Sequence, residues 1–213
     1  MRVLRAVVTL WIAAVLGGCV QVPLEVGEAA KSSIDAVCID EHVAVTSKPE
    51  FLGGGIPAAV GLMLAYGSGG IASGAIQSAQ DANNREYAQF LEGAGIDVGS
   101  IAREEFERRL RTNPFYAGRL TPTARYRFEL EVPHHALIER TSLSKHYLPV
   151  VDVVVRLKGP SGQVLARGHA ESCYMGGCLT LHELAELRAN PELLKQQYVE
   201  AMRDAMQKIV KDL

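Results

Sequence analysis

The sequence has no excess of basic residues. It carries 22 lysine and arginine residues against 24 aspartate and glutamate residues, a formal net charge of −2. A surface that binds nucleic acid needs clustered positive charge to neutralise phosphates. We therefore expect no nucleic-acid partner.

Short catalytic motifs are also missing. No G-x-S-x-G sequence is present, and Gly53-Gly54-Gly55 lacks the lysine and hydroxyl of a phosphate-binding loop. His134 and His135 are adjacent, and neighbouring residues on a strand point to opposite faces, so the pair should not share one ion or substrate. These absences predict a chain that is not an enzyme and needs no cofactor.

The first 18 residues have the layout of a bacterial signal peptide. Two arginines lie within the first five residues, and residues 6–16 are uncharged and too short to span a bilayer. Leu16-Gly17-Gly18-Cys19 follows, and it resembles the lipobox of bacterial lipoproteins, in which the cysteine thiol takes a diacylglyceryl group. The resemblance implies lipidation of Cys19 and a membrane anchor. The alternative is an ordinary secretory signal with a chance cysteine.

The residues after the lipobox indicate where such a lipoprotein would go. Val20 stands where the family's sorting rules place aspartate for inner-membrane retention, so the resemblance implies the outer membrane, facing the periplasm. Cleavage would remove Arg2 and Arg5 and leave a net charge of about −4. Residues 19–32 contain Pro23 and lack periodicity, which predicts a lipidated tether.

Residues 33–213 predict a single α+β domain, with a first strand within residues 34–45. Apolar and charged residues alternate over 125–132, which is typical of an antiparallel sheet with one solvated face. Gly159-Pro160-Ser161-Gly162 predicts a hairpin turn. We expect an antiparallel sheet with helices packed on one face.

Two helices follow from local patterns. Ser100 is expected to cap a helix that ends at Asn113-Pro114, and Asn190-Pro191 is expected to open a last helix whose apolar side docks on the sheet. Ala166, Gly168 and Ala170 share one face of a strand, where their small size would let that helix pack closely.

Residues 51–80 contain no charged side chain and form a glycine-rich apolar insertion after the first strand. The pattern predicts a helix or helical hairpin with two stripes of small residues, on which another helix could approach closely. Contact with membrane or with a second copy of the chain is one interpretation, and a surface loop or a hairpin folded back on its own domain is the other. The stripes consist of Gly61, Ala65, Gly69 and Ser73, and of Gly70, Gly74 and Ser78.

The order of elements over residues 34–213 resembles the small α+β domains of periplasmic accessory lipoproteins, such as those that assist secretion channels, cell-wall synthases and lipid transporters. The resemblance implies a non-catalytic accessory or scaffold component of a cell-envelope assembly, with an envelope protein as partner. It carries no diagnostic motif, so no functional residue is transferred from it.

The region from His169 to His182 supports a different hypothesis, a small periplasmic binding or metal-handling module. Cys173 and Cys178 could ligate zinc together with His182, with Glu171 or Glu183 as the fourth ligand.

A disulfide between Cys173 and Cys178 is the favoured alternative, because the envelope is oxidising and Gly176-Gly177 allows a tight loop. The third alternative is that Cys173 and Cys178 are free thiols. Cys38 is left without an obvious partner once Cys19 is acylated. We expect it to be a small buried residue, although it could pair with Cys173 or Cys178.

Overall fold

The computed structural model describes residues 21–53, 73–140, 145–172 and 179–210. Within these ranges seven strands form one sheet. The strands are β1 (Val37–Ile39), β2 (Ala44–Val45), β3 (Glu50–Leu52), β4 (Tyr126–Glu139), β5 (His146–Lys158), β6 (Val164–Glu171) and β7 (His182–Glu183). The helices are α1 (Glu28–Lys31), α2 (Ser73–Gly93), α3 (Val98–Thr112), α4 (Leu184–Ala189) and α5 (Pro191–Ile209).

The α+β class is confirmed, but the sheet is mixed. Strands β4, β5 and β6 are antiparallel neighbours, and β7 adds to β5 in the antiparallel sense. Strands β1, β2 and β3 instead pair with β4 in the parallel sense. The prediction of an antiparallel sheet is therefore wrong at this edge. Parallel pairing needs a long crossover connection, and α2 and α3, which lie between β3 and β4 in the chain, supply it.

The first strand expected within residues 34–45 is divided into β1 and β2. Exposed Glu41 and His42 lie between the two short strands. The chain nevertheless stays beside β4, because the Asp40 N–H donates to the Phe128 carbonyl at 2.8 Å. The outer edge of β4 is thus covered in short pieces rather than by one continuous strand.

Strand β3 and helix α2 show where the glycine-rich insertion joins the fold. The sequence placed the insertion at residues 51–80, whereas Phe51 already belongs to β3 and α2 begins at Ser73. The prediction of a helix is confirmed for residues 73–80, and residues 54–72 lie outside the described residues. Side chains of α2 also hold the main chain of β3: the Phe51 N–H donates to Asn84 Oδ1 at 2.8 Å, and the Gln80 amide donates to the Phe51 carbonyl.

Helices α3 and α5 pack on the same face of the sheet, as the sequence predicts. Phe106 of α3 meets Phe128 of β4 edge to face, with ring centroids 5.1 Å apart. A Cβ atom at Gly168 of β6 would lie 2.7 Å from Ile209 of α5, so the small-residue face of β6 does permit a close helix approach. None of the helices within the described ranges is both long and apolar enough to cross a bilayer.

The helix starts agree only partly with the sequence. Asn190 opens α5 as predicted, because its side chain accepts the N–H of Leu193 at 3.2 Å. Helix α3 is capped by Asp97 rather than by Ser100. Asp97 Oδ1 accepts the N–H groups of Gly99 and Ser100, and the Ser100 hydroxyl donates to the other Asp97 oxygen at 2.7 Å. A carboxylate accepts several such bonds at once and also suits the positive end of the helix.

Residues from Val22 onward, which the sequence assigned to the tether, belong to the folded domain. Val22 and His169 of β6 exchange backbone hydrogen bonds of 2.8 and 2.7 Å. The Leu24 N–H donates to the carbonyl of Ile209 at 2.9 Å, and Leu24 and Val26 are buried. Burial of two large apolar side chains contributes about 3 to 6 kcal/mol before ordering costs, which is enough to hold an irregular segment.

Candidate functional site

The polar face of the sheet lies opposite the helices and carries a ladder of ion pairs. Alternation along β4 places Glu129 and Glu131 on this face, where Lys158 and Arg156 of β5 meet them. Lys158 Nζ lies 2.5 Å from Glu129, and Arg156 lies 2.8 Å from Glu131. The pairs neutralise each other, so this part of the sheet presents little net charge to a partner.

A second group on the polar face consists of Glu50, His134, Asp152, His169 and Glu171. We call it the His–carboxylate cluster. His134, Asp152 and Glu171 stand in register on the three neighbouring strands β4, β5 and β6. His134 Nε2 lies 3.4 Å from Glu50 Oε2, and His169 Nε2 lies 2.5 Å from Asp152 Oδ1.

The electrostatics of the His–carboxylate cluster favour a protonated His134. Hydrogen bonding to Glu50 raises the pKa of His134 above its ordinary value, against the opposing effect of partial burial, and the charges of Glu171 and Asp152 act in the same direction. The same hydrogen bond lowers the pKa of Glu50. The neighbouring carboxylates thus stabilise the protonated form of His134, and no nucleophile with a base beside it is present among these five residues.

His135 lies on the opposite, helix-packed face, as expected for adjacent strand residues. It is 3% exposed, its ring meets that of Tyr198 of α5 at 6.3 Å, and its Nδ1 atom has no hydrogen-bond partner among the described residues. Burial, with a smaller effect of the charge on His134, lowers the pKa of His135 to about 4. The pKa values of the two neighbouring histidines are therefore shifted in opposite directions.

The edge of β6 is where the N-terminal segment meets the sheet. Val22 pairs with His169, and Arg167 stands two residues away along β6, exposed and without an ion pair among the described residues. Lys208 of α5 donates to the carbonyl of Glu171, and its charge is balanced by Asp204 at 2.7 Å. We call Val22, Val164 and Arg167 the β6-edge surface. Val22 and Val164 are 41% and 52% exposed.

Most of the site residues expected from the sequence lie outside the described ranges. Ser73 and Gly74 begin helix α2. His182 lies on β7. The other seven lie outside the described residues, so the lipidation, the disulfide and the glycine stripes stay predictions. They are Cys19, Gly61, Ala65, Gly69, Gly70, Cys173 and Cys178.

Two residues of the metal hypothesis, Glu171 and His182, lie far apart, whereas Glu183 is adjacent to His182, and Cys173 and Cys178 lie outside the described residues. Glu171 faces the polar side beside Asp152, whereas His182 pairs with Tyr147 at the other end of β5, on the helix side. The two positions are five residues apart along β5, a distance of about 17 Å. His182 bonds instead to Glu186 at 3.0 Å. Within the described ranges no group of three potential ligands could hold a metal ion.

Cys38 is a free cysteine, 4% exposed. Its sulfur lies 3.7 Å from the carbonyl of Tyr126, the reach of a weak S–H donor. The expectation that it is a small buried residue is confirmed.

A cavity of about 390 Å³ lies between α2, α4 and β3. Its walls are mainly apolar, and an ion pair between Glu86 and Arg188, 2.9 Å apart, stands among the exposed residues at its mouth. Its size falls in the range of small-molecule sites, but such sites also need a few converging polar groups inside. The apolar lining residues are Phe51, Tyr87, Phe90, Leu137, Leu184, Leu187 and Leu194.

The sequence alone does not predict the His–carboxylate cluster or the β6-edge surface. The alternation along β4 and β6 does carry a signal for the cluster, because it assigns His169 and Glu171 to the polar face of their strand. The register that brings Asp152 and Glu50 beside them has no local signal. The pairing of Val22 with His169 also has no local signal in the sequence, because the two residues are far apart in the chain.

No protein-family model and no curated protein matches the chain. Two solved structures of PelC from Paraburkholderia phytofirmans, both described as dodecamers, are similar to it. The first is 14% identical, with 91% of this chain and 99% of that chain covered, at a TM-score of 0.35. The second, a point variant, is 16% identical, with 80% and 85% covered, at a TM-score of 0.26. Likeness at this level carries no conclusion about function or assembly.

Proposed function

We propose that the chain is a non-catalytic lipoprotein, anchored at Cys19, that serves as an accessory or scaffold component of a cell-envelope assembly. The observation that carries the proposal is the entry of the chain into its fold at Val22. A domain that begins three residues after a lipidated cysteine is held against the membrane, as an attached component of an assembly should be.

The surfaces of the domain are consistent with binding rather than catalysis. The ion-pair ladder and the His–carboxylate cluster give the polar face many donors and acceptors, of the kind found in the polar rim of a protein interface. Self-association through the stripe around Gly69 and Gly70 belongs to the same proposal, since such small residues allow close helix contact. Replacing both glycines with leucine should then lower the oligomeric fraction of protein lacking the anchor. An unchanged oligomer distribution would remove this part.

The experiment that tests the function is crosslinking in intact cells followed by identification of the captured proteins. Protein with its native leader is compared with the Cys19→Ser variant, in which the thiol that would carry lipid is absent. We expect the native protein to fractionate with outer membranes, to incorporate a fatty-acid analogue and to capture an envelope protein. The variant should lose the label and the membrane association.

Two results would contradict the proposal. Fatty-acid incorporation into the Cys19→Ser variant would show that the anchor is elsewhere. Recovery of native protein as an unlabelled soluble monomer that captures no envelope protein would remove both the anchor and the scaffold role.

A further inference from the structure

The start of the fold lies at one particular edge of the sheet. Two backbone hydrogen bonds fix Val22 against His169 of β6, and a third, from Leu24 to Ile209, fixes the chain against the end of α5. The segment from Val22 to Val26 therefore cannot swing away from this edge without breaking these bonds and exposing Leu24 and Val26.

The chain between Cys19 and Val22 is short. Three residues span at most about 11 Å when fully extended. If Cys19 carries lipid, as the proposed function holds, Val22 lies within that distance of the lipid headgroups, and His169 of β6 lies one strand spacing, about 5 Å, farther.

The residues exposed at this edge suit a headgroup layer. Val22 and Val164 are two of the three large hydrophobic residues exposed in the described ranges, and the third, Val45, lies on β2. Arg167 lies between the two β6-edge valines and has no ion pair among the described residues. Apolar side chains together with an unpaired cation favour the boundary between acyl chains and anionic headgroups.

We propose that the β6-edge surface, formed by Val22, Val164 and Arg167, rests on the anionic phospholipid headgroups of the membrane that holds Cys19. Strand β6 then runs along the membrane surface, and β2 lies on the side away from it. Val164 is about 17 Å along β6 from His169, so its contact with lipid does not follow from the anchor alone. Three strand spacings, about 14 Å, separate β2 from β6.

The test uses tryptophan reporters at the two valines. The chain has one tryptophan, Trp11, which lies in the leader, so lipidated protein would contain none. Val164→Trp is compared with Val45→Trp, a matched control because Val45 is also exposed, at 40%. Purified lipidated protein is reconstituted in vesicles of phosphatidylcholine and phosphatidylglycerol that contain a nitroxide-labelled headgroup lipid, and quenching of tryptophan emission is measured.

We expect quenching of the Val164→Trp protein to exceed that of the Val45→Trp protein at least about twofold. Adding Arg167→Glu to the Val164→Trp protein should reduce its quenching by about half, because one attraction to anionic lipid becomes a repulsion. Arg85→Glu, a change at an exposed arginine of α2 without an ion pair in the described ranges, should have no effect.

The outcomes separate this inference from the proposed function. If intact mass shows lipid on Cys19 and the two reporters are quenched equally, or Val45→Trp more strongly, the orientation is refuted and the anchor stands. If the Val164→Trp emission is already shielded before vesicles are added, a second copy or another part of the chain covers the edge and the lipid contact is refuted. Protein without lipid whose reporters are both unquenched contradicts the anchor and the orientation together.

Discussion

His135 should make the protein less stable in mild acid, and the change that tests this is His135→Leu. The imidazole is 3% exposed, and burial lowers its pKa to about 4 from an ordinary value of 6.5. In the unfolded chain the same group takes up a proton near pH 6.5. Between these two values the unfolded state binds more protons than the folded one, so stability falls as the pH falls.

The magnitude follows from the two pKa values. A difference of about 2.5 units corresponds to about 3 kcal/mol once both states are titrated, and to about 2 kcal/mol at pH 5. Leucine has a similar volume and does not titrate. It also removes the Nδ1 atom, which has no hydrogen-bond partner in the described part of the chain. From pH 7 to pH 5, the free energy of unfolding of the native protein should therefore fall by about 2 kcal/mol more than that of the variant.

Urea unfolding followed by circular dichroism at both pH values measures this, with protein that lacks residues 1–18. His134→Gln is the control, because the pKa of His134 is raised. Its stabilising contribution is present below the pKa of the unfolded chain and is lost as pH rises through the folded value. Replacing His134 should therefore increase the loss of stability in acid. If the His135→Leu protein keeps the full native difference between the two pH values, His135 is not the group that is buried uncharged.

Two further predictions concern the contacts of α5. The hydroxyls of Tyr87 and Tyr198 are buried and 2.7 Å apart. Tyr87→Phe or Tyr198→Phe alone should cost about 1 to 3 kcal/mol by leaving one hydroxyl unpaired, and the double variant should cost less than the sum, which a double-mutant cycle measures. Additive costs would show that the hydroxyls do not interact. Gly168→Ala should cost about 1 to 3 kcal/mol in urea unfolding, because its Cβ atom would lie 2.7 Å from Ile209 and 3.0 Å from Leu24. Gly118→Ala, where nothing lies within 4 Å, is the control, and equal costs for the two changes would argue against close packing of α5 on β6.

The parts of the fold that were predictable carry a local pattern. Alternation along β4 places Phe128 in the core, and small residues along β6 allow α5 to approach Gly168. The parallel edge was not predictable in this way, because a buried strand such as β1 has the same composition in either direction. Its direction is set by the helical crossover from β3 to β4. Serine is a good N-cap, which favours Ser100, but Asp97 three residues earlier caps the helix instead: its side chain accepts the N–H groups of Gly99 and Ser100 and binds the serine hydroxyl as well.

The docking of the N-terminal segment on β6 likewise has no local signal in the sequence. Residues 19–32 lack periodicity and include Pro23, a pattern that predicts a tether. A few specific contacts are nevertheless enough to order such a segment. Leu24 fills the space that Gly168 leaves on β6, and a side chain at that glycine would exclude it. The small face of β6 thus receives both α5 and the N-terminal segment, although its composition suggested only the helix. Because the segment that fills this space begins three residues after Cys19, the packing of one strand face decides which edge of the domain lies next to the proposed anchor.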